Sequence, residues 1–221
     1  MSSILYLGHA GFEITLDELT IYIDPYLGDS PDRLIKAAIS SGEIEKADLL
    51  LITHEHFDHF EKSTVLDVVE RTQASVVAQN LVLRELDIPT RNKVDVRIDD
   101  SFSLKGVDIE VIKAVHPQSK YSVGFIVRKG GKSIYHAGDT YEFSEMVDLR
   151  AEYALLPIGG TYTMDPIDAH KAAKEIRCKF VIPMHYNTWD RIRQNANEFA
   201  KSLADTKAKP IVLKVGESIQ I

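Results

Sequence analysis

The chain has 221 residues, 44% hydrophobic and 27% charged, with a formal net charge of −7. That is the composition of an ordinary globular protein long enough to bury a sizeable core, and the negative balance argues against a broad nucleic-acid surface. A single cysteine, Cys178, excludes an intrachain disulfide and any cage of several thiolates, so a metal site here has to be built from imidazole and carboxylate.

Taken in chain order, "SILYLG", "FEITL" and "LTIYID" are short, rich in β-branched or aromatic residues and separated by turn residues, which predicts an opening meander. "SPDRLIKAAIS" reads as a helix with Ser30 as N-cap and Pro31 in the first turn. "ADLLLIT" is a continuous apolar run of strand length, as expected for a strand buried on both faces. A helix starting near Phe60 follows, carrying Val65, Leu66, Val68 and Val69. The charged "IEK" and "RNKVDVRIDD" segments read as solvated face. "VDIEVIKAV", "YSVGFIVRK" and "KSIYHAG" predict strands, and "FSEMVDLRA" a helix. The strand "YALLPIG" leads to a helix capped by Asp165, with Pro166 in its first turn and Asp168 at the capping-box position. "KFVIPMH" is a strand, "NEFAKSLA" a helix, and "PIVLKV" and "ESIQI" are closing strands. The pattern predicts one α/β domain over 1–221, a four-layer αββα sandwich of two mixed sheets flanked by helices. Its two similar halves meet between Ile98 and Val107. No apolar run approaches the ~20 residues of a bilayer span, and the start lacks a basic, apolar leader, so a cytoplasmic protein without membrane partners is expected.

One stretch stands out. "LLLITHEHFDHFEK" puts three histidines and an aspartate into six positions directly after an apolar run, and with 8 histidines in the chain this arises by chance on the order of one time in a thousand. His54 follows "LLLIT", His116 follows "VDIEVIKAV", Asp139 follows "SIYHAG" and His185 ends "KFVIPMH". Four strands thus each end in an imidazole or carboxylate, where sheet-based enzymes build their sites. In an extended loop His54 and His56 can point one way while Asp58 and His59 turn to a neighbouring point. This suits two adjacent divalent ions, with Asp139 able to bridge, His116 completing one and His185 the other. Nitrogen and oxygen donors without thiolate suit Zn²⁺, Mn²⁺, Fe²⁺ or Ni²⁺.

The motifs "YLGHAGFEI", "IDPY", "THEHFDH", "YHAGDT", "LLPIGGTYTMDPIDA" and "VIPMHYNT" resemble the metallo-β-lactamase superfamily over nearly the whole chain. Within it they resemble a family of small metal-dependent hydrolases related to ascorbate-6-phosphate lactonase. The resemblance implies that His54, His56 and His116 hold one ion, Asp58, His59 and His185 the other, and that Asp139 bridges, with Zn²⁺ the expected metal. His56 stands where flavodiiron relatives carry Glu, which argues against redox chemistry. Relatives also imply a homo-oligomer.

The expected reaction is hydrolysis by a hydroxide that two metals activate, with Asp58, His59 and Asp139 as the catalytic group, on a small ester or lactone-type or phosphorylated substrate. A phosphodiesterase acting on a cyclic nucleotide or short RNA is the alternative, and a metal-binding protein without turnover a third. His9 stands either at the site's edge or as a bonded loop residue, and Asp24 either orients a ligand imidazole or starts a turn. His136 reads as packing and His170 as structural. Tyr162, Met164, Tyr186 and Asn187 flank the site loops as candidate pocket residues.

Overall fold

In the computed structural model, which describes residues 1–221, fourteen strands form two seven-stranded sheets of the same design. In the first, β1 (Ser3–Gly8), β2 (Gly11–Leu16) and β3 (Leu19–Ile23) make the antiparallel meander; β4 (Leu49–Ile52), β5 (Ser75–Ala78) and β6 (Lys93–Asp95) continue it in parallel. The second repeats the plan. β7 (Ser101–Leu104), β8 (Val107–Lys113), β9 (Val123–Lys129) and β10 (Lys132–His136) are antiparallel, and β11 (Tyr153–Pro157), β12 (Phe180–Met184) and β13 (Lys209–Pro210) run parallel to β10. The chain changes sheets between Asp95 and Ser101, and β14 (Ser218–Gln220) returns to pair with β1.

Period-two alternation explains the layers. In β4, Leu49 and Leu51 join the 44-residue core that fills the space between the sheets and continues under the helices of the second, whereas Leu50 and Ile52 face outward into a 17-residue cluster. That cluster is closed by α1 (Lys62–Thr72) through Val65, Val68 and Val69. On the other flank α3 (Pro166–Glu175) and α4 (Ala196–Ser202) cover the second sheet with Ala169, Ala172, Ala173 and Phe199. The result is two mixed sheets with helices outside, the four-layer sandwich that the sequence pattern predicts. No helix is long and apolar enough to cross a membrane.

Several expected elements differ. Residues 31–40 form turns and bends instead of a helix. The buried Arg33 donates to the carbonyls of Ile35, Tyr26 and Gly28, while the N–H groups of Leu34 and Ala38 are taken by Thr188 and Leu7. Long-range partners thus replace the helical ladder. Over 143–151 only a 3₁₀ turn forms, Ser144–Asp148, because the Leu149 carbonyl is claimed by the Arg177 N–H. "RNKVDVRIDD" is not simply solvated: Lys93–Asp95 is an edge strand, and buried Asn92 donates to the carbonyls of Gln73 and Ala74. In "IEK", Ile44 is buried against the cluster under α1. Only the first residue of "PIVLKV" joins a strand. Asp165 caps α3 as expected, accepting from Ile167 and Asp168 N–H at 2.8 and 2.9 Å, but the Asp168 carboxylate pairs with Lys171 instead of closing a capping box. The short α2 (Asn80–Leu83) has no counterpart in the sequence reading.

Candidate metal centre

Strand direction gathers the chemistry at one end of the sandwich. β1, β3 and β4 run the same way in the first sheet, as do β8, β10 and β12 in the second. At or just past their C-terminal ends come His9, Asp24, His54, His116, Asp139 and His185. Three of these turn sharply off their strands: His9, Asp24 and His185 have φ of 56°, 46° and 56°, a left-handed conformation that non-glycine residues adopt rarely. The His185 N–H donates to the His9 carbonyl at 2.7 Å, tying the two sheets together at the site.

The motif loop supplies the rest. The N–H groups of His59 and Phe60 both donate to the His56 carbonyl, at 3.0 and 2.7 Å, closing a turn that brings Asp58 and His59 beside His54. Glu55 turns away and accepts from Ser119 Oγ at 2.7 Å and the Lys120 N–H at 3.1 Å, which pins the loop after β8. Glu61 accepts from the N–H groups of Leu27 and Gly28 at 3.0 and 2.8 Å and anchors the start of α1.

Two donor sets result. In the first, His54 Nε2 and His116 Nε2 lie 3.1 and 3.3 Å from His56 Nδ1, and 3.9 and 3.7 Å from Asp139 Oδ2. In the second, His59 Nε2 and His185 Nε2 each lie 3.2 Å from Asp139 Oδ1, and 4.0 and 3.9 Å from Asp58 Oδ2. Asp139 divides its two oxygens between the sets. Donors at ~2.0–2.1 Å from a tetrahedral ion stand about 3.3 Å from one another, so each set has the spacing of one ion's shell.

Hydrogen bonds fix which nitrogen is free in four of the five imidazoles, all but His185. His54 Nδ1 donates to Thr53 Oγ1 at 3.0 Å, and the Thr53 hydroxyl donates to Asp24 at 2.6 Å. His59 Nδ1 donates to the same Asp24 oxygen at 2.8 Å. His116 Nδ1 donates to the Tyr162 carbonyl and His56 Nε2 to the Gln118 carbonyl, both at 3.2 Å. An acceptor on one side obliges that nitrogen to carry the proton and leaves the other as a lone pair facing the donor set. His59 Nε2, His185 Nε2 and Asp139 Oδ1 are buried without any hydrogen-bond partner. Lone-pair atoms crowded in this way are costly unless a cation lies among them, so the donor set fits divalent ions.

The electrostatics agree. Burial works against the Asp139 carboxylate, but His185 and His59 outweigh it and hold it ionised well below the usual range. Burial, with His59 beside it, holds His54 well below the ordinary histidine range. His59 goes the other way: burial opposes its charge, yet Asp139, Asp24 and Asp58 together raise it well above that range. Where no metal is bound, a proton takes the cation's place.

Residues 3–185 match the model of the beta-lactamase superfamily domain. Across 100% of both chains the protein is 38% identical to the UPF0173 metal-dependent hydrolase of Thermococcus onnurineus, and 33% identical to that of Sulfurisphaera tokodaii. The chain belongs to the metallo-β-lactamase superfamily. Among solved structures, Igni18, a metallo hydrolase of Ignicoccus hospitalis, is similar at a TM-score of 0.86 and 33% identity, over 99% of this chain and 97% of that one. Within the superfamily the chain is a UPF0173 metal-dependent hydrolase, and its two His/Asp clusters are the candidate metal sites.

The remaining expected residues separate clearly in this metallo-β-lactamase-type site. His9 donates from Nε2 to Asp58 Oδ2 at 3.1 Å and accepts the Thr188 hydroxyl at Nδ1, 2.9 Å away. A carboxylate only accepts, so His9 presents a proton there and orients Asp58. Burial, with His185 beside it, lowers its pKa to about 3 and keeps it neutral. Asp24 orients two imidazoles, one directly and one through Thr53. His136 is structural, bonded at 2.8 Å to the Ala10 carbonyl, and His170 lies 3.0 Å from Asp205 on the outer flank. Tyr162 lines the cavity of about 650 Å³ that opens over Asp58 and His185. Asn187 does not: its Oδ1 accepts the Gln194 N–H at 2.8 Å, and it lines a larger cavity of about 930 Å³ behind His9 that touches none of the seven expected ligands. Tyr186 lines that same larger cavity, and Met164 is fully buried in the core. Sequence reasoning missed Thr53, Thr188, Phe57, Trp189 and Arg191. The two threonines sit directly beside motif residues in "ITHEH" and "HYNT", which is the signal that marks them.

Proposed function

We propose that the chain hydrolyses a small ester, lactone or phosphorylated substrate at a dinuclear metal centre. The observation that carries this reading is Asp139, whose Oδ2 belongs with His54, His56 and His116 and whose Oδ1 belongs with His59, His185 and Asp58. Divalent ions held by these residues would supply a hydroxide near neutral pH, by lowering the pKa of bound water from ~15.7 toward ~7, and Lewis-acid polarisation of the scissile bond. The chain's own residues do the positioning. Asp139 keeps the two donor sets in register, Asp24 and Thr53 hold the rings of His54 and His59, and His9 fixes the carboxylate of Asp58 at the cavity floor. Phe57 and Trp189, packed edge to face, give the cavity an aromatic wall. A cavity of about 650 Å³ suits a small molecule over a long polymer.

The test is reconstitution with Zn²⁺ and separately Mn²⁺, followed by initial rates on a small lactone, an aryl ester and a generic phosphodiester. Turnover that depends on metal and vanishes in Asp139→Ala, together with the metal, is expected. Preference for the lactone or ester supports the carbonyl reading, and turnover of the phosphodiester alone moves the substrate to cyclic nucleotides or short RNA. Full activity with no metal bound refutes the scheme.

A further inference from the structure

Arg191 lines the same cavity as Asp58 and His185, and it is the only lysine or arginine that does. It pairs with no carboxylate. Its neighbour Asp190 is engaged by Arg193 at 2.7 Å, and Asp58 is engaged by His9 at 3.1 Å. What holds Arg191 is neutral: Nη1 donates to Tyr162 Oη at 3.3 Å, and the Arg191 carbonyl accepts the Thr161 hydroxyl at 2.9 Å. The Tyr162 carbonyl in turn accepts from His116 Nδ1 at 3.2 Å, so the loop that steadies the guanidinium is the loop that orients an imidazole of the first donor set. Arg191 is thus an exposed guanidinium in this cavity, tethered to the Tyr162 hydroxyl and with its charge unanswered. Beside it the cavity wall is apolar and open, since Phe57 is 65% and Leu34 48% exposed. Asp32, which also lines the cavity, is its only carboxylate without a cationic or imidazole partner, and it makes no ion pair with Arg191.

From this we infer that Arg191 determines specificity by receiving an anionic group, carboxylate or phosphate, at the end of the substrate remote from the scissile bond, with the substrate's apolar middle against Phe57 and Leu34. Guanidinium is suited to this because its planar donors match both anions in two-point contact. The inference rests on the metal-hydrolase reading. It adds the substrate class, a small molecule with a hydrolysable group at one end and a permanent negative charge at the other. Nothing covalent happens at Arg191, whose contribution is to binding and orientation.

The experiment uses the Zn²⁺-loaded full chain and three hydroxamates of equal length, ending in methyl, carboxylate or phosphonate. The hydroxamate end chelates the metal whichever substrate is natural, and calorimetry reads affinity without requiring turnover. One or both charged probes are expected to bind about tenfold or more tightly than the methyl probe, as for one charge-assisted contact. The charged end with the larger gain identifies the anion. Arg191→Gln is expected to erase the gain while leaving the methyl probe's affinity unchanged, and Arg191→Lys to keep part of it. Equal binding of the three probes by metal-loaded protein, or a gain that survives Arg191→Gln, overturns the inference and leaves the metal reading standing. A protein that neither retains Zn²⁺ by elemental analysis nor binds any of the probes overturns the metal reading, and the inference falls with it.

Discussion

His59 holds the key to the site's acid–base behaviour. Burial resists its charge, but Asp139, Asp24 and Asp58 keep it protonated well above the ordinary histidine range while no metal is bound. A metal ion has to displace that proton. Metal uptake in weakly buffered solution is therefore expected to release protons, and apparent affinity to rise with pH; an indicator-dye titration reads both, and uptake without proton release contradicts the assignment. Asp24 acts through other residues, so Asp24→Ala is expected to lower metal affinity by about 10–100-fold, measured by chelator competition with folding checked separately by circular dichroism. An unchanged affinity would remove Asp24 from the centre. Cys178 shows the opposite kind of perturbation: burial pushes its thiol up to about 11. Half-buried and with a raised pKa, it is expected to react only slowly with alkylating reagents at pH 7–8 and faster once the chain unfolds, and rapid native labelling would contradict the raised pKa.

At the scale of elements, the site depends on strand ends that leave no room for a side chain. A Cβ on Gly159 would run into the His185 carbonyl at the end of β12, and one on Gly138 would come within 2.7 Å of the Val123 carbonyl while its φ is +60°. Gly159→Ala is expected to displace His185 and weaken metal binding in a protein that still folds. Melting temperature and metal stoichiometry measured together separate this from plain destabilisation. The helix cap gives a control. Asp165→Ala removes two hydrogen bonds at the start of α3 and is expected to cost about 1 kcal/mol of stability, with metal content unchanged. If that variant loses metal, α3 is coupled to the centre in a way the hydrogen bonds do not predict.

Across the whole molecule, a metal ion bound at the candidate centre between the two sheets would act as a clasp. Binding to the native state alone raises stability with ion concentration, so a chelator is expected to lower the melting temperature. In the metal-free protein the buried histidines set the pH response. Burial lowers His9, His54, His116 and His136, which stay neutral in the fold and take up protons near pH ~6.5 only on unfolding. Their contribution is present above that pH and is lost as pH falls below it. His59 has the opposite sign, stabilising at low pH and losing its contribution as pH rises through its elevated pKa. Four groups against one predict a metal-free protein that loses stability from pH 7 to pH 5. A melting temperature flat over that range would contradict the balance.

The sequence by itself determined the donor chemistry and most of the scaffold. One cysteine left imidazole and carboxylate as the only donors, and period-two and period-3.6 patterns marked the central strands and the helices α1, α3 and α4, because those signals are local. The tertiary structure decided what non-local contacts control. Residues 31–40 meet helix-start rules yet stay irregular, since Arg33, Leu34 and Ala38 spend their hydrogen bonds on distant chain. "RNKVDVRIDD" carries an edge strand despite its charge, because β5 offers a free edge to pair with. His9 and Asn187 looked alike as candidates beside site loops, and only the fold sent one to Asp58 and the other to Gln194. Arg191 had no motif to mark it. A guanidinium becomes informative only when it is seen to pair with none of the surrounding carboxylates, and pairing is a property of folded distance, not of sequence.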